Sequence, residues 1–421
     1  MDTIRTNKDN AINEAEEQWE VDNIHRDTLL PESSEESTQD ELSGLEQSPL
    51  FQLSLASKEL FHSNFLSWLL LQYPALGAEV LARWIGEEGS SCSINRVERE
   101  QKNRDLVVYF TAAAGQSKVL TIENKVKSTP DLAQLEKYAN GSGDQDYFLL
   151  LSLTRPSFMM GDSIQLQNGK VWAFLNYKRL GELLEPLCEP IRQSSPYHAF
   201  LLRDYVSFIK KLHRVGQSAE LNPAVDNYDW YAPSNRWLSR LRTLRLYDLY
   251  VKHVHAQLAW EFHKRMESEI PSLPLTLETA WENAPVGHAF TNSGMTKGTG
   301  LSEIKYVVGT LSGKPVVLGV QIQGEQFRLF VESRIKAKEM AEMLLQEKEW
   351  FRFDQIDLFE GQVYPIRRGQ TFNSFTTTFQ YQYVKLKECS IQELIRISVN
   401  CIAKLHDNKQ RIVELLCLDT N

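Results

Sequence analysis

Apolar positions along the first half of the chain fall into short runs separated by helical repeats. Asp105-Leu-Val-Val-Tyr-Phe110, Lys118 to Val126 and Val171-Trp-Ala-Phe-Leu175 are rich in β-branched and aromatic residues and predict strands. Tyr147-Phe-Leu-Leu-Leu-Ser-Leu153 is a continuous apolar run, which suits a strand buried on both faces of a sheet. Pro130 to Asn140 predicts a helix, with Thr129 as N-cap and Pro130 at the first helical position. Further helices are expected from about Lys178 and Tyr197, and the polar, turn-rich segment from Gly161 to Gly169 reads as a loop. Strands alternating with helices in this way predict an α/β unit with a mixed sheet between helices.

The pattern changes after Gln217. A polar stretch to about Trp230, with Asn222-Pro223 and Asp226-Asn227, reads as a linker. One helix is expected from Asn235 to about Glu269, then strands at Lys305–Gly309, Pro315–Ile322 and Phe327–Val331. A helix at Ile335–Lys348, a strand pair within Thr371–Leu386 and one long amphipathic helix from Ser390 to Cys417 complete the chain. The expected division is an α/β domain at 49–216, a linker at 217–234 and an α+β interaction or oligomerisation domain at 235–421. No catalytic motif stands out in the last part; Asp354, Asp357 and Glu360 are too weakly patterned for a second site.

One strand breaks its own pattern. The apolar run from Lys118 carries Glu123 and Lys125, which lie two apart and project to the same face, while Ile122 and Asn124 face away. Burying a carboxylate and an ammonium costs several kcal/mol unless they are paired or bound to a metal. With Asp105, eighteen residues upstream of Glu123, they suit metal-assisted phosphodiester hydrolysis. Two carboxylates offer hard oxygen ligands to Mg²⁺, the ion activates a water, and a lysine neutralises developing charge. The bland alternative is a surface salt bridge on an edge strand.

Around this trio the sequence resembles the PD-(D/E)XK nuclease superfamily, in particular its bacterial PDDEXK_4 branch. The resemblance runs from Leu60 to about Leu212. Glu59-Leu-Phe-His-Ser-Asn-Phe-Leu-Ser-Trp-Leu-Leu70 looks like the opening helix, Ile94-Asn-Arg-Val-Glu-Arg-Glu100 like the first strand, and Arg104-Asp105 with Ile122-Glu-Asn-Lys125 like the metal-binding core. Gln134-Leu-Glu-Lys-Tyr138 resembles a helix of the RecB-like nucleases; Arg104 stands where the motif's proline would be. The resemblance implies a restriction-endonuclease-like core, with Asp105 and Glu123 as metal ligands and Lys125 as helper of the nucleophile. It also implies a ligand from the backbone carbonyl of Asn124 and a second-metal carboxylate at Glu100, preferred over Glu98 because it lies nearer the turn into Asp105. Gln134 and Tyr138, four apart on one helix face, are expected to look into the site, Gln134 in a catalytic role and Tyr138 on the substrate backbone.

Composition adds three points. The net charge of −9 conceals a division: residues 1–48 hold fourteen acidic residues against three basic ones, so the remainder carries about +2. The acidic segment is expected to be a disordered tail, serving as a solubilising leader or as a cover for a basic cleft. Arg236, Arg240, Arg242 and Arg245 flank an apolar seam and are candidates for phosphate contact, or form a solvated face. Five cysteines without CxxC spacing argue against a disulfide framework or a zinc site, and the chain shows neither a membrane-length apolar run nor a signal-peptide core. The expectation is a cytoplasmic Mg²⁺-dependent deoxyribonuclease, with Mn²⁺ able to substitute. It is expected to be an antiphage defence or restriction-type effector, to form a dimer or tetramer, and to answer to a regulatory or sensor partner. The alternative is a non-catalytic nucleic-acid-binding regulator that keeps the fold.

Overall fold

The apolar runs of the first half assemble into a six-stranded mixed sheet in the computed structural model of the chain. The structure describes residues 32–420 except 56–57, 87–91, 102, 114, 127–129, 131, 144–145, 154, 157, 160, 167, 218–219, 229–235, 277–283, 297, 356–370 and 387–388. β1 (Ser93–Gln101), β2 (Arg104–Thr111) and β3 (Ser117–Lys125) form an antiparallel meander. β4 (Tyr147–Ser152) and β6 (Val171–Asn176) extend it in parallel, and the short β5 (Ser163–Gln165) closes the edge inside the segment expected to be a loop. The order is β1-β2-β3-β4-β6-β5.

β4 explains its own unbroken apolar sequence. Leu149 and Leu151 enter the main core beneath the helices, while Phe148 and Leu150 enter a second cluster with Trp172, Leu135 and Tyr138. Successive side chains serve opposite faces, and both faces are covered. Before the sheet come four helices, α1 (Glu32–Glu46), α2 (Pro49–Ser54), α3 (Lys58–Gln72) and α4 (Pro74–Trp84). α5 (Leu132–Ala139) links β3 to β4; α6 (Tyr177–Leu184), α7 (Cys188–Ser194) and α8 (Pro196–Gln217) follow β6. Trp68, Phe65, Tyr205, Phe208 and His62 interlock between α3 and α8, with Phe65 stacked on Tyr205 at 3.8 Å.

The second half carries its own sheet. β7 (Ala289–Thr296), β8 (Thr299–Leu311), β9 (Lys314–Gln323), β10 (Gln326–Ser333), β11 (Asn373–Thr376) and β12 (Phe379–Lys385) pair antiparallel in the order β11-β12-β10-β9-β8-β7. The expected single helix at 235–269 is two, α9 (Arg236–Thr243) and α10 (Tyr247–Glu269). Arg245 adopts the left-handed region at φ 55° and turns the chain between them. α10 lies close on the sheet because Gly300 sits beneath it; a Cβ there would come within 2.1 Å of the His255 ring. α11 (Ala337–Gln346) follows β10. The expected long carboxy-terminal helix is also two, α12 (Ile391–Asp407) and α13 (Lys409–Leu416), divided at Asn408.

The acidic segment departs from expectation where it is described. Glu32–Glu46 is the helix α1, whose Leu42 and Leu45 are fully buried against the core. Apolar residues three apart supply one sticky face that outweighs the acidic surroundings. The acidic side chains find cations: Glu41 pairs with Arg214 of α8 at 3.0 Å and Glu46 with Arg240 of α9 at 2.7 Å. Residues 1–31, including Trp19, Val21 and Ile24, lie outside the described residues. No described helix is long and apolar enough to cross a membrane, and the five cysteines are free thiols.

Candidate active site

Register brings the motif together. Leu106 pairs with Ile122 across β2 and β3, so Asp105 and Glu123, one step outward on each strand, meet at the same end of the hairpin. Gln101 pairs with Arg104, and the turn between them, with Asn103 at φ 66°, delivers the chain to Asp105. β3 lies inside the sheet between β2 and β4, so its end is walled on both sides. Asp105 is half-buried, whereas Glu123 and Lys125 are buried, Glu123 at 1 % exposure.

Glu123 and Lys125 share a face, as their spacing predicts. Lys125 Nζ lies 2.7 Å from Glu123 Oε1, and Gln134 Nε2 of α5 donates to the same oxygen at 2.9 Å. Gln134 Nε2 also lies 2.7 Å from the Tyr138 hydroxyl, which donates to the Asn103 carbonyl. Arg104 donates to the backbone carbonyl of Tyr138 at 2.9 Å. The helix thus closes over the turn that carries Asp105, and its Gln-Tyr face points at Glu123. Tyr138 is itself buried, so its contacts in this state are to the protein.

Asn124 holds the back of the site. Its N–H donates to Asp105 Oδ2 at 2.7 Å, tying the two carboxylate strands together. Its side chain faces the other way, as alternation requires: Nδ2 donates to the Glu59 carbonyl at 2.9 Å, and Oδ1 accepts from the buried Tyr177 hydroxyl. Burial pushes the Tyr177 phenol well up, so it stays a donor.

The charges of the cluster are out of balance. Burial and then the Asp105 charge push the Glu123 carboxyl up to about 7, against the pull of Lys125. Burial also raises Asp105, opposed by the Asn124 N–H and Lys125. Burial works to lower Lys125, but Glu123, Glu59 and Asp105 together hold it above its ordinary value. Glu123 Oε2 is buried and has no hydrogen-bond partner. An orphaned carboxylate oxygen beside a second carboxylate fits a hard divalent cation, which would supply the missing positive charge.

Glu59, at the start of α3, is a third carboxylate whose charge is felt by Asp105, Glu123 and Lys125 alike. The sequence marks it only as an acidic residue at the start of a helix; that this helix packs on the strand end is a tertiary fact. Glu100 is exposed at φ 51° on the rim, close enough to raise Asp105. Glu98 turns elsewhere, pairing with Arg96 at 3.1 Å and accepting from Tyr109 at 3.3 Å. Among the described residues no three carboxylate, histidine or cysteine side chains gather into a closed metal cage. An open site with two carboxylates matches the habit of Mg²⁺, which keeps several of its waters. A groove of about 460 Å³ runs beside it between Leu60 and Asn64 of α3 and Val97–Gln101 of β1.

Among the described side chains, Arg240 and Arg242 make their contacts away from this site. Arg240 pairs with Glu46 and hydrogen-bonds Gln39 and Ser43 of α1. Its neighbourhood to α1 is what the sequence could not display, since the partners lie some two hundred positions away. Arg242 is exposed and lies over the Tyr247 ring at 4.4 Å; Arg245 is exposed at the turn; the Arg236 side chain lies outside the described residues.

Residues 50–207 match the family model PDDEXK_4 of the PD-(D/E)XK nuclease superfamily, which spans the mixed sheet and every residue of the site. Members of that superfamily are in the main nucleases, and the fold built here is the one the match requires. No curated protein and no solved structure matches the chain.

Proposed function

We propose that the PD-(D/E)XK domain of this chain is a divalent-cation-dependent deoxyribonuclease that hydrolyses phosphodiester bonds in DNA. The observation that carries this reading is Glu123. A buried carboxylate with one oxygen held by Lys125 and Gln134 and the other orphaned is a poor structural residue and a good ligand.

Asp105 and Glu123 would hold the cation, with the Asn124 carbonyl as a further ligand and Glu100 or Glu59 reaching it through water. When bound, Mg²⁺, or Mn²⁺ in its place, supplies Lewis acidity toward the phosphate and a water of lowered pKa. The protein's own groups do the rest. The Asn124 N–H fixes the Asp105 carboxylate. Gln134 and Lys125 fix Glu123 from opposite neighbours in the chain, one on a helix and one on its own strand. The Lys125 ammonium, kept charged by three carboxylates, would neutralise charge growing on the phosphate oxygens. Tyr138 is suited to touch the substrate backbone only if it lets go of the Asn103 carbonyl.

Incubating the full chain with plasmid, linear duplex and single-stranded DNA, with Mg²⁺ or Mn²⁺ and then with EDTA, tests the proposal. Cleavage that EDTA stops, and that Asp105→Ala and Glu123→Ala each abolish, is the expected result. DNA binding without cutting under every condition would overturn it in favour of a regulatory DNA-binding protein. The resemblance further supports a bacterial antiphage or restriction-type effector restrained by assembly or by a protein partner. Cutting two strands favours a closed symmetric dimer or tetramer, which light scattering would show.

A further inference from the structure

The carboxy-terminal unit contains a cavity that the nuclease chemistry does not use. It measures about 310 Å³, at the small end of ligand sites. One wall is α12, where Arg396, Asn400 and Lys404 recur every fourth residue and so share a helix face. The loop after α11 contributes Lys348 and Arg352. That loop is shaped by two non-glycine residues in the left-handed region, Lys348 at φ 57° and Phe351 at φ 63°. Apolar side chains of Leu329, Ile397, Leu405 and Trp350 form the floor. The Trp350 ring is pinned by its N–H, which donates to the Phe330 carbonyl at 3.1 Å.

The charge around this cavity is uneven. Four cations and one carboxylate, Glu349, line it. Arg396 is matched by Glu393 at 2.5 Å, Arg352 by Asp354 at 2.8 Å, and Glu349 by Arg411 at 2.5 Å. Lys348 and Lys404 make no ion pair among the described residues. Two lysines outside any described ion pair therefore line one cavity, together with the amides of Asn400 and Asn408 and the edges of buried apolar side chains. Such a site takes a compact anion joined to an apolar body, and it is too small and too concave for duplex DNA.

We propose that this cavity binds a small phosphate-bearing molecule of nucleotide type, its phosphate between Lys348 and Lys404 and its ring system on the Leu329, Ile397 and Trp350 floor. The proposal is independent of the nuclease reading and would stand if the protein cut no DNA.

Calorimetric titration of the full chain with AMP, in EDTA, tests it, with adenosine as the uncharged control. EDTA keeps cations from recruiting phosphate to the carboxylate pair, which in their absence repels anions. Saturable AMP binding is expected, weakening with salt, with adenosine giving no measurable heat. Lys348→Gln and Lys404→Gln should each weaken AMP by about tenfold, the usual scale for losing one charge-assisted contact. Lys338→Gln, an exposed lysine of α11 outside the cavity, should leave it unchanged. Both cavity lysines are exposed, so thermal melts of the variants should overlay the parent. Absence of saturable AMP binding, or equal affinity in the parent and the two cavity variants, would overturn the proposal.

Discussion

Gln134 Nε2 donates to Glu123 Oε1 at 2.9 Å, across eleven residues and from a helix to a strand end. Because Lys125 already holds that same oxygen, the two donors together orient the carboxylate and leave Oε2 without a partner. Gln134→Ala removes the donor that comes from outside the strand. Expected is a loss of roughly tenfold to a hundredfold in cation affinity or turnover, the scale seen when groups behind a metal ligand are removed. Gln134→Glu should do worse, since it sets a second carboxylate against Glu123. The check is calorimetric Mn²⁺ binding beside DNA cleavage; wild-type values in both variants would remove Gln134 from the machinery.

The Glu123 carboxyl gives the cation-free protein a pH signature. Its folded value is pushed up to about 7 from an ordinary 4.5, so the native state keeps a proton that the unfolded chain releases between those values. The contribution to stability is therefore greatest below pH 4.5 and declines as pH rises to about 7, by up to about 3 kcal/mol. Glu123→Gln should flatten this decline. In urea titrations with EDTA at pH 5.5 and 8, the parent should lose more stability than the variant over that interval. Mg²⁺ should restore the parent at pH 8 and leave the variant unchanged. Parallel profiles for the two proteins would show that Glu123 is not strained by its neighbours.

What the sequence displayed and what it hid divide along physical lines. Glu123 and Lys125 were legible because strand alternation is a period of two, and charge on an otherwise apolar strand is costly without purpose. Gln134 and Tyr138 were legible because a helix returns to the same face after four residues. The continuous run of β4 announced burial on both faces, and both faces are covered. Glu59 was hidden because its approach to Asp105 is set by how α3 packs on β3, which no local pattern encodes. The break at Arg245 was hidden because arginine is no helix-stop signal, whereas the asparagine at 408 is one that the long amphipathic pattern overrode. The helix at Glu32–Glu46 was missed because composition averages over its length, whereas two leucines on one face decide the outcome.

Acid should unfold this protein through two buried histidines. His255 is buried between α10 and β8, with Nδ1 2.7 Å from the Ser302 hydroxyl, and burial lowers its pKa to about 3. His62, 3.0 Å from the Tyr205 hydroxyl, is lowered to about 3 for the same reason. The unfolded chain protonates these rings near pH 6.5 and the folded chain does not, so stability is lost as pH falls from 6.5 toward 3. At pH 4.5 each ring should have cost roughly 3 kcal/mol. His255→Gln should be less stable than the parent at pH 7 but should lose less on going to pH 4.5. A parent whose stability is level from pH 7 to 4.5 would contradict the burial of these rings.

The acidic helix α1 makes two different kinds of contact, and they predict different losses. Its carboxylates pair with Arg214 and Arg240 at partly exposed sites, where an ion pair contributes about 0–1 kcal/mol. Its Leu42 and Leu45 are fully buried, and burying each leucine contributes roughly 1.5–3 kcal/mol. Glu41→Gln with Glu46→Gln should therefore melt close to the parent, and the small difference should vanish in high salt. Leu42→Ala with Leu45→Ala, or a chain beginning at Pro49, should melt several degrees lower at every salt concentration. If α1 were instead only an electrostatic cover, the order would reverse. The truncated chain would then melt like the parent and gain DNA affinity at low salt alone, an outcome that salt-dependent DNA binding measured beside the melts would reveal.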